Sequence, residues 1–237
     1  MLPELVDTNC TSTLQSVFGS LLLWTVMYFI VHAFNNTQTP EWNCRIVTLF
    51  HGILVTFLCF YSAFVFGPWP FDYIAQKNTP FHNQIMIISL GYFIFDFFWC
   101  LYIGTETIVM KAHHAVSIFS FVYALYYNVC GSEITAVIGA SEFTNPLLQL
   151  RWFVKQKGRL HGCLAVLLDF SLLVAFWSAR LIVGTAFHLK VQLSPDLYLF
   201  ARIGGNLFYI ISVVFGVGML QYVVNRYFLK KRHHSEK

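Results

Sequence analysis

The sequence predicts an all-α, polytopic membrane helical bundle of about seven spans. Three observations predict it. Only 11% of the 237 residues are charged while 57% are hydrophobic, whereas a water-facing domain carries roughly 25% charged residues. Apolar stretches of span length recur along the whole chain, with short polar or proline-rich segments between them. Aromatic side chains are abundant, with 25 Phe, 12 Tyr and 6 Trp, as suits lipid-facing helices and interfacial belts.

A spanning helix needs about 20 mostly apolar residues. Such stretches lie near 16–33, 46–66, 84–103, 112–130, 134–150, 160–183 and 201–224. The fifth is the weakest. It is short and holds Glu142, Asn145 and Pro146, so a kinked or re-entrant helix is the alternative to a plain crossing. The domain division is 1–39 as an N-terminal segment with the first span, 40–228 as the main bundle, and 229–237 as a basic cytosolic tail. Glu4 and Asp7 stand where a cleaved signal peptide would carry basic residues, so the first span is expected to stay as an anchor.

Orientation follows from Lys and Arg in short loops. Arg151, Lys155, Lys157 and Arg159 follow the fifth span; Arg226, Lys230, Lys231, Arg232 and Lys237 follow the seventh. Both clusters belong to the cytosolic side, which puts the N-terminus on the other side. The glycosylation sequon Asn9-Cys10-Thr11 is then lumenal and Asn35-Asn36-Thr37 cytosolic. Failure of span five to cross would exchange them. The basic residues form these two clusters rather than a nucleic-acid surface. Cys59, Cys100, Cys130 and Cys163 fall in or at the ends of apolar stretches, where buried free thiols are expected instead of disulfides or zinc sites.

An ionisable group at mid-bilayer costs about 2.5–3.5 kcal/mol on insertion scales, so each one needs a reason. Helical spacing groups them into stripes. Span three carries Tyr92, Asp96, Trp99 and Ile103; span four His113, Ser117, Ser120 and Ala124; span five Glu142, Asn145 and Gln149; span seven Arg202 and Asn206. Small and polar stripes are poor lipid faces and good inward faces, so the four are expected to line a common interior. His113 and His114 point about 100° apart on a helix, so only one can face a given point. A buried imidazole beside a carboxylate works as base or nucleophile, the carboxylate fixing its tautomer. Asp96 is the expected partner, with Glu142 as the alternative or as a proton donor. Solvation of His113 near Lys111, and plain helix–helix hydrogen bonding for Asp96 and Glu142, are the competing readings. Asp169 is assigned Arg180 as a structural partner, eleven residues on along one face. His51 has no partner and is taken as structural.

The residues Phe93-Ile94-Phe95-Asp96-Phe97-Phe98, then Lys111-Ala112-His113-His114, resemble the TLC domain, and Ser141-Glu142-Phe143-Thr144-Asn145-Pro146 with Arg151 resembles its small branch outside the ceramide synthases. The resemblance implies six helices around a lipid-accessible cavity, in the endoplasmic reticulum or another secretory-pathway membrane. It implies acyl transfer with His113, His114 and Asp96 as the catalytic group, while Glu142, Asn145, Ser117 and Asn206, taken from the polar stripes, are expected to bind substrate. Ceramide synthases carry further aspartates where this chain has Glu142 and Asn145, a departure that counts against sphingoid-base acylation. No cofactor or metal is expected, acyl-CoA being a substrate. Expected partners are membrane lipids, with a homodimer allowed and nucleic acid excluded. A non-enzymatic lipid-binding protein is the alternative. A seven-span receptor lacks its acidic–Arg–Tyr motif after span three, and a di-iron hydroxylase would need more clustered histidines.

Overall fold

A computed structural model describes residues 3–104 and 106–229, with side chains from Thr11 onward. The side chain of Asn9 in the first sequon, and the tail from Lys230 with His233 and His234, lie outside what the structure describes. The described chain is helical throughout, with one isolated antiparallel bridge, Lys77 to Val129. The helices are α1 (Pro3–Phe34), α2 (Pro40–Tyr61), α3 (Pro80–Ile103), α4 (Ile108–Tyr127), α5 (Gly131–Glu142), α6 (Asn145–Gln156), α7 (Gly162–Phe176), α8 (Gly184–Leu193) and α9 (Leu199–Val224).

The helix starts are written in the sequence. Thr39, Thr79 and Thr107 accept from backbone N–H groups of the first turns of α2, α3 and α4. Pro40 and Pro80 fill first-turn positions where the missing N–H costs nothing. Gly104 ends α3 and Asn128 ends α4, both in the left-handed region, at φ 71° and 54°.

Among the described residues, six helical stretches are long and apolar enough to cross a membrane: Thr11–Phe34, Pro40–Phe66, Pro80–Ile103, Ile108–Tyr127, Gly162–Leu193 and Leu199–Leu229. The protein is an integral multi-pass membrane protein. α7 and α8 form one continuous rod through a π-helical turn at Trp177–Val183, so this span runs well beyond residue 183.

The expected fifth span is a broken pair. Phe143 and Thr144 separate α5 from α6, each only 12 residues long, and Pro146 removes a donor at the start of α6. The pair nevertheless follows α2 along its depth in antiparallel register. Gly139 meets Cys59, where an added Cβ would lie 2.8 Å from the Cys59 Cβ. Gly52 packs on Asn145, Arg45 Nη1 donates to Gln149 Oε1 at 3.2 Å, and the Trp42 and Phe153 rings lie 4.6 Å apart. The kinked alternative describes this segment, and its traverse matches the depth of α2.

The main core joins α1 to α5 around Trp24, Val47, Val55, Ile85, Met86, Tyr92 and Phe121. α1 is fastened to α3 by Ser20 Oγ and Trp24 Nε1, which both donate to the carbonyl of Ile88, at 3.1 and 3.0 Å. One sequence expectation is corrected here: Cys163 is exposed, because it sits in the first turn of α7 at the bundle's outer edge.

Candidate functional site

Two chambers occupy the bundle interior. The larger, of about 580 Å³, is polar in part and is lined by Arg45, Asp96, His114, Asn145, Gln149 and Arg151 among others. The smaller, of about 210 Å³, is lined mostly by apolar groups from α4, α5, α8 and α9. Four residues border both: Phe93, His113, Glu142 and Arg180. They form the seam between a polar compartment and a greasy one.

Three of the four stripes read from spacing reach these walls, and the Arg202–Asn206 stripe of α9 does not. Tyr92, Asp96, Trp99 and Ile103 all line the polar chamber, as do Glu142, Asn145 and Gln149. His113, Ser117 and Ser120 line the apolar one. The two histidines diverge as helix geometry requires, their rings 5.6 Å apart at 67°. His114 Nε2 lies 3.3 Å from Asp96 Oδ2. α3 and α4 form a short antiparallel hairpin, which brings Asp96 and His114 to one level. The His113 ring is buried among Phe93, Phe208 and Phe215, so it is not a solvated interfacial histidine. Its Nδ1 has no hydrogen-bond partner among the described residues.

Glu142 belongs to a second relay. His51 Nδ1 lies 3.5 Å from Glu142 Oε2, and Asn145 Nδ2 donates to the same oxygen at 2.8 Å. Gln149 Nε2 then donates to Asn145 Oδ1 at 2.8 Å, and Arg45 closes the run on Gln149 while pairing with Glu41 and Glu106. His51 is fully buried and stacked on Tyr92 at 3.7 Å. Sequence spacing gave His51 no partner; only the packing of α2 on α5 supplies one. The break after Glu142 has a consequence here, since it lets Glu142 and Asn145 turn towards each other around the end of α5.

The remaining sequence-predicted residues are placed as follows. Ser117 lines the apolar chamber and donates to the His113 carbonyl at 2.8 Å. Asn206 lies on the exposed side of α9, bonded to His188 at 3.1 Å and Gln192 at 3.4 Å, and lines neither chamber itself. Arg202 clasps the loop before α9, donating to the carbonyls of Gln192, Leu197 and Ser194. Asp169 does not pair with Arg180. It is held by Arg151, Arg226 and the Tyr227 hydroxyl, the last at 2.6 Å.

Donor atoms of Asp96, Cys100 and His114 all lie within 4.8 Å of one another, so these three side chains are close enough to share one ion. Cys44 Sγ approaches Asp96 Oδ1 at 3.8 Å from α2.

Comparison with known proteins bears on this arrangement. The TLC-domain family model matches residues 41–231. TLC domain-containing protein 4-B of Xenopus laevis is 26% identical over 215 residues, covering 84% of this chain and 77% of that protein. TLC domain-containing protein At5g14285 of Arabidopsis thaliana is 26% identical over 116 residues, 46% of this chain and 44% of that protein, so this match spans less than half of the plant relative. No solved structure matches. With the family model covering residues 41–231, most of its length, the chain belongs to the TLC-domain family.

Proposed function

We propose that the protein handles membrane lipids and transfers an acyl group from acyl-CoA to a lipid acceptor at the His113–His114 site, in the endoplasmic reticulum or another secretory-pathway membrane. The observation that carries this reading is the seam: a histidine borders both a polar chamber and an apolar one, beside a histidine–carboxylate pair. An acyl thioester has this same division, a polar carrier joined to an apolar chain at the reacting carbonyl. The polar chamber suits the carrier end and the apolar chamber the chain.

In this reading the His113 imidazole attacks the thioester carbonyl. The carbon–sulfur bond breaks, and the thiolate leaves and takes up a proton. The acyl group, now on His113, is attacked by a hydroxyl or amine of the acceptor lipid, and the carbon–nitrogen bond to the ring breaks. His114, oriented by Asp96, takes the acceptor's proton. Holding both reactants at one seam supplies proximity, and the surrounding Phe93, Phe208 and Phe215 keep water from the acyl intermediate.

The mostly apolar smaller chamber also favours a second reading, in which a lipid is held without turnover and membrane lipid composition is regulated by binding. Comparative lipidomics separates the two. Cells lacking the protein are given wild type or a His113→Ala/His114→Ala double variant at matched levels. A lipid class restored only by wild type supports transfer. Equal restoration by the double variant removes the histidine chemistry and leaves the binding reading.

A further inference from the structure

Arg180 has no task in the proposed acyl transfer, yet it is a cation at the seam of the two chambers. It sits in the π-helical turn Trp177–Val183, borders both chambers, and lies 4.7 Å over the Phe176 ring. Its Nη2 donates to the carbonyl of Ser141 at 2.6 Å. Its Nε is buried and has no partner. Among the described residues it forms no ion pair: Asp169 is taken by Arg151 and Arg226. Glu142, the acid whose charge it feels, is engaged by His51 and Asn145.

A guanidinium within a membrane bundle is expensive, and the acid nearest in charge, Glu142, is already held by His51 and Asn145. The unpartnered Nε leaves Arg180 a donor free for an anionic ligand. The guanidinium fork matches the planar or tetrahedral oxygens of a carboxylate or phosphate. The π turn is a second sign, since these wide turns are frequent at functional sites. The apolar chamber beside Arg180 suits an apolar remainder, and the acyl chain of a membrane lipid gains by filling it.

We propose that Arg180 anchors the anionic group, carboxylate or phosphate, of an acyl-chain lipid whose chain lies in the apolar chamber. This deepens the lipid-handling part of the proposed function and does not depend on its histidine chemistry. The anchored molecule is the lipid substrate or product, held with its polar end beside His113.

The test is native mass spectrometry of the full chain in neutral detergent, offered matched pairs: oleate against oleyl alcohol, and phosphatidic acid against diacylglycerol. Wild type is expected to prefer the anionic member of at least one pair by at least about tenfold, the worth of one charge-assisted hydrogen bond. The preferred pair tells carboxylate from phosphate. Arg180→Gln is expected to abolish the preference and Arg180→Lys to weaken it. Equal binding within both pairs by wild type overturns the proposal without any variant. So does a folded Arg180→Gln protein with its preference intact. A wild-type protein that shows the preference, while the His113→Ala/His114→Ala double variant restores lipids in cells as well as wild type, keeps this anchor and drops the transfer reading, so the two fail separately.

Discussion

Asp169 shows how much one residue can hold. It is buried at the α6–α7–α9 junction and takes Arg151, Arg226 and Tyr227 at once. The sequence pointed instead to Arg180, eleven residues on along an assumed regular helix. The π turn at Trp177–Val183 defeats that count, because a wider turn shifts the phase of every side chain after it. Asp169→Asn keeps the shape and removes the charge, leaving two guanidinium groups facing each other without an acid. It is expected to destabilise the bundle by about 3 kcal/mol, the low end for a broken buried pair because Arg226 is partly exposed. Thermal unfolding of the purified chain in detergent measures this. The Asp96–His114 pair was legible because a short connection forces α3 and α4 side by side. His51–Glu142 was not, since no local spacing tells α2 that it will lie on α5. Replacing Glu142 with Gln is expected to leave His51 without its acid and to lower acyl transfer at least about tenfold with the fold intact, if the relay sets the geometry of the seam. A lipid-product assay beside the same unfolding measurement checks it, and a matched loss of stability would assign the relay to structure alone.

At the scale of helices, threonine caps start α2, α3 and α4, and periodicity marked the inward faces of α3, α4 and the α5–α6 segment. Composition could not show how close the helices come. Gly91 is the clearest case. An added Cβ there would lie 2.6 Å from the Leu21 backbone nitrogen, at the level where Ser20 and Trp24 bind the Ile88 carbonyl. The glycine therefore sets the α1–α3 approach. Gly91→Val is expected to push α1 off α3 and cost about 1–3 kcal/mol, whereas Gly218→Val, with nothing within 4 Å of its added Cβ, is expected to be nearly neutral. Unfolding midpoints of the two variants compare them directly. The weakness of the fifth segment was also readable, in Glu142, Asn145 and Pro146. That its halves still track α2 from Cys59 to Trp42 was not readable, because the register is set by Gly52, Gly139 and Gln149 meeting side chains of a distant helix.

For the whole molecule, orientation and cavity follow one axis. Trp42, Arg45, Glu106, Trp152 and Lys157 gather at one end of the bundle, with the basic α6–α7 loop that charge counting assigns to the cytosol. The polar chamber reaches this end through Glu41, Arg45 and Arg151. The apolar chamber reaches the opposite end, where Phe71, Cys130, Phe187 and Leu197 meet. A charged carrier such as CoA is confined to the cytosol by its own solvation, so a polar entrance on that side and a chain compartment beyond the seam match the proposed substrate. The depth of the apolar chamber then limits chain length. Ala201 lines it near the far end, among Leu197, Phe200 and Gly204. Ala201→Phe fills that end without touching His113, His114, Asp96 or Arg180. If the acyl chain lies there, the variant is expected to shift the products restored in cells toward shorter chains while total transfer persists. The readout is the chain-length distribution of the affected lipid class. An unchanged distribution with transfer intact would move the chain out of this chamber and into the bilayer, with the seam serving only the polar end.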